Sequence, residues 1–126
     1  SDELALADLK TGDCLISAQL RASGTAVDDL ERTDCDAPHD AEVFAAFRAD
    51  DEVDTREAAG RRCGNVLESV GGSLREITLA GLEVRPMTAT GEIDPDTRVV
   101  CFLRHRSGEK MSGTMVDDST EPHVED

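Results

Sequence analysis

The sequence predicts an α+β domain in which an antiparallel sheet of about five or six strands carries one main helix and is held by two disulfides. Three observations predict this class: four widely separated cysteines, one segment with helical apolar periodicity, and several short apolar segments between turn residues. The chain has 126 residues, enough for one domain. We place that domain at residues 9–116, after a partly ordered lead-in (1–8) and before an acidic, disordered tail (117–126).

The cysteines predict two disulfides in an exported protein. Cys14, Cys35, Cys63 and Cys101 are even in number and contain no C-x-x-C pair, so the spacing argues against a zinc site or a redox motif. Because disulfides persist in oxidising compartments, we expect an extracytoplasmic protein, secreted or anchored to the outer face of the cytoplasmic membrane. Free buried thiols are the alternative, since cysteine is among the most buried residue types.

Charge and composition exclude several classes of partner. The chain has 28 acidic and 13 basic residues, a net charge of −15, and neither Trp nor Tyr. The negative electrostatic field of such a protein repels nucleic acid and anionic lipid. Aromatic side chains that could stack on the bases of a single strand are also scarce. No stretch of 18 apolar residues is present, so this segment is not expected to insert into a membrane; we expect a signal peptide, lipid anchor or transmembrane helix before Ser1.

The first strands are predicted on both sides of a hairpin. Residues 13–20 read as a strand, with three residues alternating on one face: Cys14, Ile16 and Ala18. A loop at 23–25 would return the chain over 27–35 and bring Cys35 near Cys14. Pro38 then predicts a bend at 36–39. Residues 42–48 are predicted as the next strand, with alternating residues on one face: Val43, Ala45 and Phe47.

The main helix is predicted to begin at Asp54, an N-cap with Glu57 in a capping-box position. One helical face is apolar: Ala59, Cys63, Val66, Leu67 and Val70. Gly71 and Gly72 should end this helix.

The rest of the chain predicts strands and turns. Residues 74–82 are ambiguous between a strand and a loop, and Pro86 suits an edge strand at 83–87. A turn-rich loop follows at 91–96. The β-branched run at 98–104 and the segment at 110–116 predict a final hairpin.

Candidate chemistry is sparse. His39 lies beside Asp40 and near Glu42, which raises the hypothesis of a hydrolase, but no nucleophile motif accompanies it; the structural alternative is that His39 fixes the bend after Cys35. The acidic runs at 50–54 and 94–96 lack the ligand order of an EF-hand, and the alternative is that they form solvated turns and an N-cap. No metal ligand set and no cofactor motif is found, so the prediction is a non-enzyme without a cofactor.

Several short runs along the chain resemble those of a known family. The most specific run goes from Cys35 through Pro38-His39 to Glu42-Val43. Together with Gly12-Asp13-Cys14, a helix carrying Arg62-Cys63, and Thr97-Arg98-Val99-Val100-Cys101, it resembles the septum-formation family of actinobacterial extracytoplasmic domains. The similarity covers roughly residues 9–115. It implies a part in division-site or cell-wall biology, with no assigned reaction. Where family members often carry a Trp, this chain has Ile93-Asp94.

Four cysteines allow three pairings. We predict Cys14–Cys35, across the first hairpin, and Cys63–Cys101, from the helix to the last strand; the second choice is Cys14–Cys101 with Cys35–Cys63.

The resulting functional hypothesis is a non-catalytic interaction module that binds a cell-envelope protein or peptide. Its candidate binding residues lie in two loops made rigid by bridges and prolines: Asp36, Pro38, His39 and Glu42 in the first, Ile93 and Asp94 in the second. The alternative is an inhibitor or immunity-like protein that blocks a secreted enzyme through residues 87–94. A hydrolase using His39 with Asp40 or Glu42 is the third hypothesis.

Overall fold

The structure is a computed structural model that describes residues 6–21 and 30–113. Five strands form one antiparallel sheet in the order β2-β1-β3-β5-β4: β1 (Cys14–Ile16), β2 (Glu31–Thr33), β3 (Ala41–Arg48), β4 (Leu82–Met87) and β5 (Arg98–His105). The helices are α1 (Arg56–Ser69) and the short α2 (Leu74–Leu79), and two 3-10 turns span Leu6–Asp8 and Ala18–Arg21. The predicted α+β class is confirmed. No helix of the described residues is long and apolar enough to cross a membrane.

A separate apolar core covers each face of the sheet. On the helix face, Ala59, Cys63 and Leu67 of α1 join buried residues of the central strands: Phe44, Phe47, Val99, Cys101 and Leu103. On the other face, leucines outside the strands cover the sheet: Leu6, Leu9, Leu20 and Leu30. The central strands β3 and β5 are therefore buried on both faces.

A β-bulge in β3 changes which residues face the helix. Val43 pairs with Phe102 and Ala45 pairs with Cys101, so β3 advances two residues while β5 advances one. Val43 therefore joins the core opposite α1, whereas Ala45 and Phe47 lie in the helix-face core. The prediction that all three share a face was wrong, because regular alternation cannot continue through a bulge.

The main helix begins one residue later than predicted. Thr55, rather than Asp54, is the N-cap, and its side chain accepts a hydrogen bond from the Ala58 backbone N–H at 3.0 Å. The end agrees with the prediction: Gly71 has a φ of 96°, and Gly72 N–H donates to the Leu67 carbonyl at 2.9 Å. Together with the 3.2 Å bond from Gly71 N–H to the Glu68 carbonyl, this is a Schellman motif.

The extent of the first predicted strand and the type of one ambiguous segment were wrong. β1 ends at Ile16, because Ser17 begins a 3-10 turn in which its hydroxyl accepts a bond from Gln19 N–H at 3.1 Å. Cys14 and Leu15 of β1 are buried, Ile16 is half-buried and Ala18 is exposed, so Cys14, Ile16 and Ala18 do not form one buried face as predicted. The ambiguous segment after Gly72 is α2, a helix and neither a strand nor a loop.

The final hairpin does not form as predicted, because both edges of β5 are already paired, with β3 on one side and β4 on the other. Met111 instead forms an isolated bridge with His39. The predicted hairpin loop at 23–25, residues 114–116 of the return segment and the predicted disordered tail at 117–126 lie outside the described residues. The predicted domain boundaries stay predictions.

Both predicted disulfides are confirmed. Cys14 is bonded to Cys35 and Cys63 to Cys101, with Cα–Cα distances of 5.2 and 5.5 Å. The second bridge is fully buried between α1 and β5, whereas Cys35 is only half-buried. Two disulfides and no free cysteine indicate a protein that folds in an oxidising, extracytoplasmic environment.

Candidate functional site

The candidate site is the start of β3, where two segments distant in sequence meet. We call residues 34–38 the bend loop and residues 110–113 the C-terminal segment. His39 N–H donates to the Met111 carbonyl at 2.8 Å, and Met111 N–H donates back at 2.7 Å. Gly113 N–H donates to the Cys35 carbonyl at 2.6 Å. The C-terminal segment thus holds the bend loop along one side.

Further contacts make the bend loop rigid while its outer side chains stay exposed. Ala37 N–H donates to the Asp34 carbonyl at 3.0 Å, which closes a turn, and the disulfide ties Cys35 to β1. The Ala37 carbonyl accepts a bond of 2.8 Å from the His39 ring. Asp36 and Pro38 are exposed. The loop therefore presents an acidic side chain and a proline ring on a fixed backbone.

His39 is fully buried, and its ring holds the bend. The Ala37 carbonyl can only accept, so Nδ1–H of the ring is the donor in this hydrogen bond. Nε2 is buried and has no hydrogen-bond partner within the described residues. The ring therefore makes no hydrogen bond to Asp40 or Glu42, which the hydrolase hypothesis would need. This geometry agrees with the structural alternative.

The two acidic residues after His39 are also buried. Asp40 Oδ2 accepts a bond of 3.0 Å from Ser17 N–H, and both of its carboxylate oxygens lie 3.1 Å from Lys110 Nζ. Glu42 lies within β3, paired with Cys14 of β1 and Leu103 of β5. Neither carboxylate is on the surface. Asp40 connects Ser17, the residue after β1, to Lys110 of the C-terminal segment.

Sequence reasoning missed Lys110, because its partner Asp40 is 70 residues away in the chain. Nothing local to Lys110 indicates this pairing. The one unusual feature of Lys110 in the sequence is its residue type, since the chain has just two lysines, Lys10 and Lys110.

The second predicted loop lies at the opposite end of β3. Asp96 N–H donates to the Ala49 carbonyl, just past the end of that strand, at 3.0 Å. An eight-residue strand is roughly 25 Å long, so the structure does not bring Ile93 and Asp94 together with the bend loop. Ile93 packs against the helix-face core, and Asp94 is exposed.

The acidic run at 50–54 forms a capped turn. Asp50 accepts a bond of 3.0 Å from Glu52 N–H and lies 3.4 Å from the Arg62 guanidinium. The Glu52 N–H lowers the pKa of the Asp50 carboxyl below its ordinary value, and Arg62 lowers it further.

Within residues 6–21 and 30–113, no three His, Cys, Asp or Glu side chains form a group that could hold a metal ion.

The structural role of His39 makes a direct prediction. Replacing it by alanine should lower the free energy of unfolding by about 2 kcal/mol, because the bond to Ala37 and a fully buried ring are both lost. His39→Asn should lose only about half as much, since an amide N–H can replace the Nδ1–H donor. Urea unfolding followed by circular dichroism measures both values. An unchanged midpoint for His39→Ala would contradict the role.

Comparisons of the chain with family models, curated proteins and solved structures found no match. The resemblance to the septum-formation family therefore stays a prediction.

Proposed function

We propose that this chain is a non-catalytic, extracytoplasmic interaction module of the cell envelope that binds an envelope protein or peptide, as the septum-formation resemblance implies. The observation that carries the proposal is the bend loop. Its backbone is fixed by the Cys14–Cys35 disulfide, the His39 ring and the C-terminal segment, while Asp36 and Pro38 remain exposed. This is the arrangement expected of a surface whose conformation is set before binding.

Rigidity supports binding because a loop that is already ordered loses little conformational entropy in a complex. The exposed side chains also indicate the partner's chemistry. Asp34 and Asp36 both face solvent on an acidic protein, so a contact surface with Lys or Arg would be electrostatically complementary. Pro38 adds apolar area that needs no further ordering.

Capture from envelope extracts, with the protein expressed in its native anchored form, tests this proposal. A partner retained by the native protein should be recovered about tenfold less with Asp36→Ala or Pro38→Ala, because each removes an exposed contact from the rigid loop. Asp51→Ala is the matched control: it removes an exposed carboxylate from a different loop and should leave recovery unchanged. Equal recovery with all variants would refute the bend loop as the binding surface.

An inhibitor acting through residues 87–94 is the second candidate. Met87 and Thr88 are buried, and Ile93 packs on the core, so this loop is anchored at both ends with Ala89, Thr90 and Glu92 exposed between them. Stoichiometric inhibition of a secreted protease, lost when Thr90 is replaced, would favour this candidate over the envelope module.

A further inference from the structure

The two disulfides differ in how far a reagent can reach their sulfur atoms. Cys14 is 1% exposed, and Cys63 and Cys101 are fully buried. Cys35 is the one half-buried cysteine of the four. Exchange with an external thiol requires a thiolate to reach one of the two sulfur atoms of a bridge. The Cys63–Cys101 bridge is therefore protected at both ends, whereas the Cys14–Cys35 bridge is protected only at Cys14.

The surface beside the Cys35 sulfur is open at Gly12. Cys35 Sγ lies 3.4 Å from the Gly12 carbonyl, in the turn before β1. A Cβ built on Gly12 would have no atom of the described residues within 4 Å. A thiolate attacks a disulfide along the line of the S–S bond, and Cys14 lies at the buried end of that line. The Cys35 sulfur is therefore the one that an external thiolate can attack.

The charges around this bridge are predominantly negative. Asp34 and Asp36 flank the half-buried cysteine, and both are exposed. The charge of Arg32 on β2 is offset by Asp13, with an Nη2–Oδ2 distance of 3.2 Å. Lys10, in the same turn as Asp13, can offset only one of the two exposed carboxylates. The whole chain has a net charge of −15, so the local and the overall field both favour a thiol carried by a cationic molecule.

We infer that Cys35 is a thiol-exchange site whose co-reactant is a dithiol set in a basic surface, such as that of a thiol–disulfide oxidoreductase. The first thiolate attacks Cys35 Sγ and forms a mixed disulfide; the bond to Cys14 breaks, and the Cys14 sulfur leaves as a thiolate that takes a proton. The second thiolate of the partner then attacks the partner's own sulfur in the mixed disulfide and releases Cys35 as a thiolate. The bridge is reduced by two electrons, and the partner dithiol is oxidised to a disulfide.

Opening this bridge would remove one anchor of the bend loop. The bonds from Gly113 N–H to the Cys35 carbonyl and from the His39 ring to the Ala37 carbonyl do not depend on it. The buried Cys63–Cys101 bridge still ties α1 to β5. The domain should therefore stay folded while the loop loses its covalent tie to β1. Redox control of binding by the loop rests on the proposed function, whereas the exchange site itself does not.

Reaction of the full oxidised chain with cysteamine, a cationic monothiol that stops at the mixed disulfide, tests the site. After quenching with N-ethylmaleimide in denaturant, peptide mapping should find cysteamine on Cys35 and the maleimide on Cys14. Cys63 and Cys101 should carry neither group. Cysteamine on Cys14, or opening of the Cys63–Cys101 bridge at the same rate, would overturn the assignment.

The co-reactant's charge is tested with glutathione, whose net charge is negative. It should react about tenfold more slowly than cysteamine at low salt, and the difference should shrink at high salt. The double variant Asp34→Asn with Asp36→Asn should narrow the difference to about threefold, because it removes the flanking charges and keeps the Asp34 carbonyl that closes the turn.

The matched control is Asp51→Asn with Asp94→Asn, two exposed aspartates at the opposite end of β3. It changes the net charge by the same amount and should keep the tenfold difference. Equal rates for the two thiols in the unmodified chain, or equal effects of the two double variants, would overturn the basic partner. These rates are read from peptide masses with no envelope partner present, so their failure is distinguishable from failure of the proposed function.

Discussion

Replacing both Cys63 and Cys101 by alanine is expected to lower the free energy of unfolding by about 4 kcal/mol. The bridge closes a loop of 38 residues, and the entropy removed from the unfolded chain for a loop of this length accounts for that figure. The two sulfur atoms are also fully buried between α1 and β5, so their loss leaves a gap in the helix-face core. The total free energy of unfolding of a domain of this size is only about 5–15 kcal/mol, so the variant should be largely unfolded at moderate temperature.

Urea unfolding followed by far-ultraviolet circular dichroism measures the change, because the chain has no Trp or Tyr for fluorescence. The matched control replaces both Cys14 and Cys35 by alanine. This removes a bridge that closes a loop of 21 residues and whose Cys35 end is only half-buried. The same entropy relation gives about 3 kcal/mol for that bridge. A larger loss from the Cys14 and Cys35 pair than from the buried pair would contradict the expected order.

Replacing Asp40 by alanine should lower the free energy of unfolding by about 3 kcal/mol. Its side chain is 1% exposed and receives hydrogen bonds from Ser17 N–H and from Lys110 Nζ. Removing one partner of a buried ion pair costs about 3–5 kcal/mol, and we expect the lower end because Lys110 can turn toward water. The Ser17 N–H, also buried, would lose its partner.

The control for Asp40 is an acidic residue in an exposed ion pair. Glu52 lies 3.6 Å from Arg62 and its side chain is 85% exposed. Glu52→Ala should change the free energy of unfolding by less than about 0.5 kcal/mol, since exposed ion pairs contribute little. The same urea measurement compares the two. Equal effects would show that Asp40 does not connect the sheet to the C-terminal segment as described.

Local signals predicted much of the fold. The apolar periodicity of 59–70, the glycines after it and the β-branched run near Cys101 each specify their structure within a few residues. They also favoured the observed pairing among the three that four cysteines allow, because the first hairpin brings Cys35 near Cys14 and the apolar helix face carries Cys63.

Two helix starts carry local signals in the sequence that differ from the predicted ones. Ser73 and Glu76 have the spacing of a helix N-terminus, and Ser73 Oγ accepts a bond from Glu76 N–H at 3.2 Å to begin α2. At α1, Asp54 and Thr55 are both good N-cap residues, and only the backbone geometry selects Thr55.

The remaining differences depend on tertiary contacts. The β-bulge is set by the pairing of β3 with β5, and the failed final hairpin follows from β4 already occupying the free edge of β5. Of the candidate site, the sequence predicted the bend, and the bond from the His39 ring to the Ala37 carbonyl agrees with the structural alternative for that residue. It could not predict the role of Lys110, because Lys110 and Asp40 are 70 residues apart in the chain and meet only in the folded protein.

The central position of β5 has a consequence for biosynthesis. A nascent chain that has left the ribosome only as far as β4 contains β3 and β4 without the strand that joins them, and Cys63 without Cys101. The sheet can close only after residues 98–105 emerge, and contacts between such distant segments form slowly. The sheet therefore cannot form until residues 98–105 have been made. The Cys63–Cys101 bridge can form only after Cys101 has emerged and has reached a compartment in which thiols are oxidised.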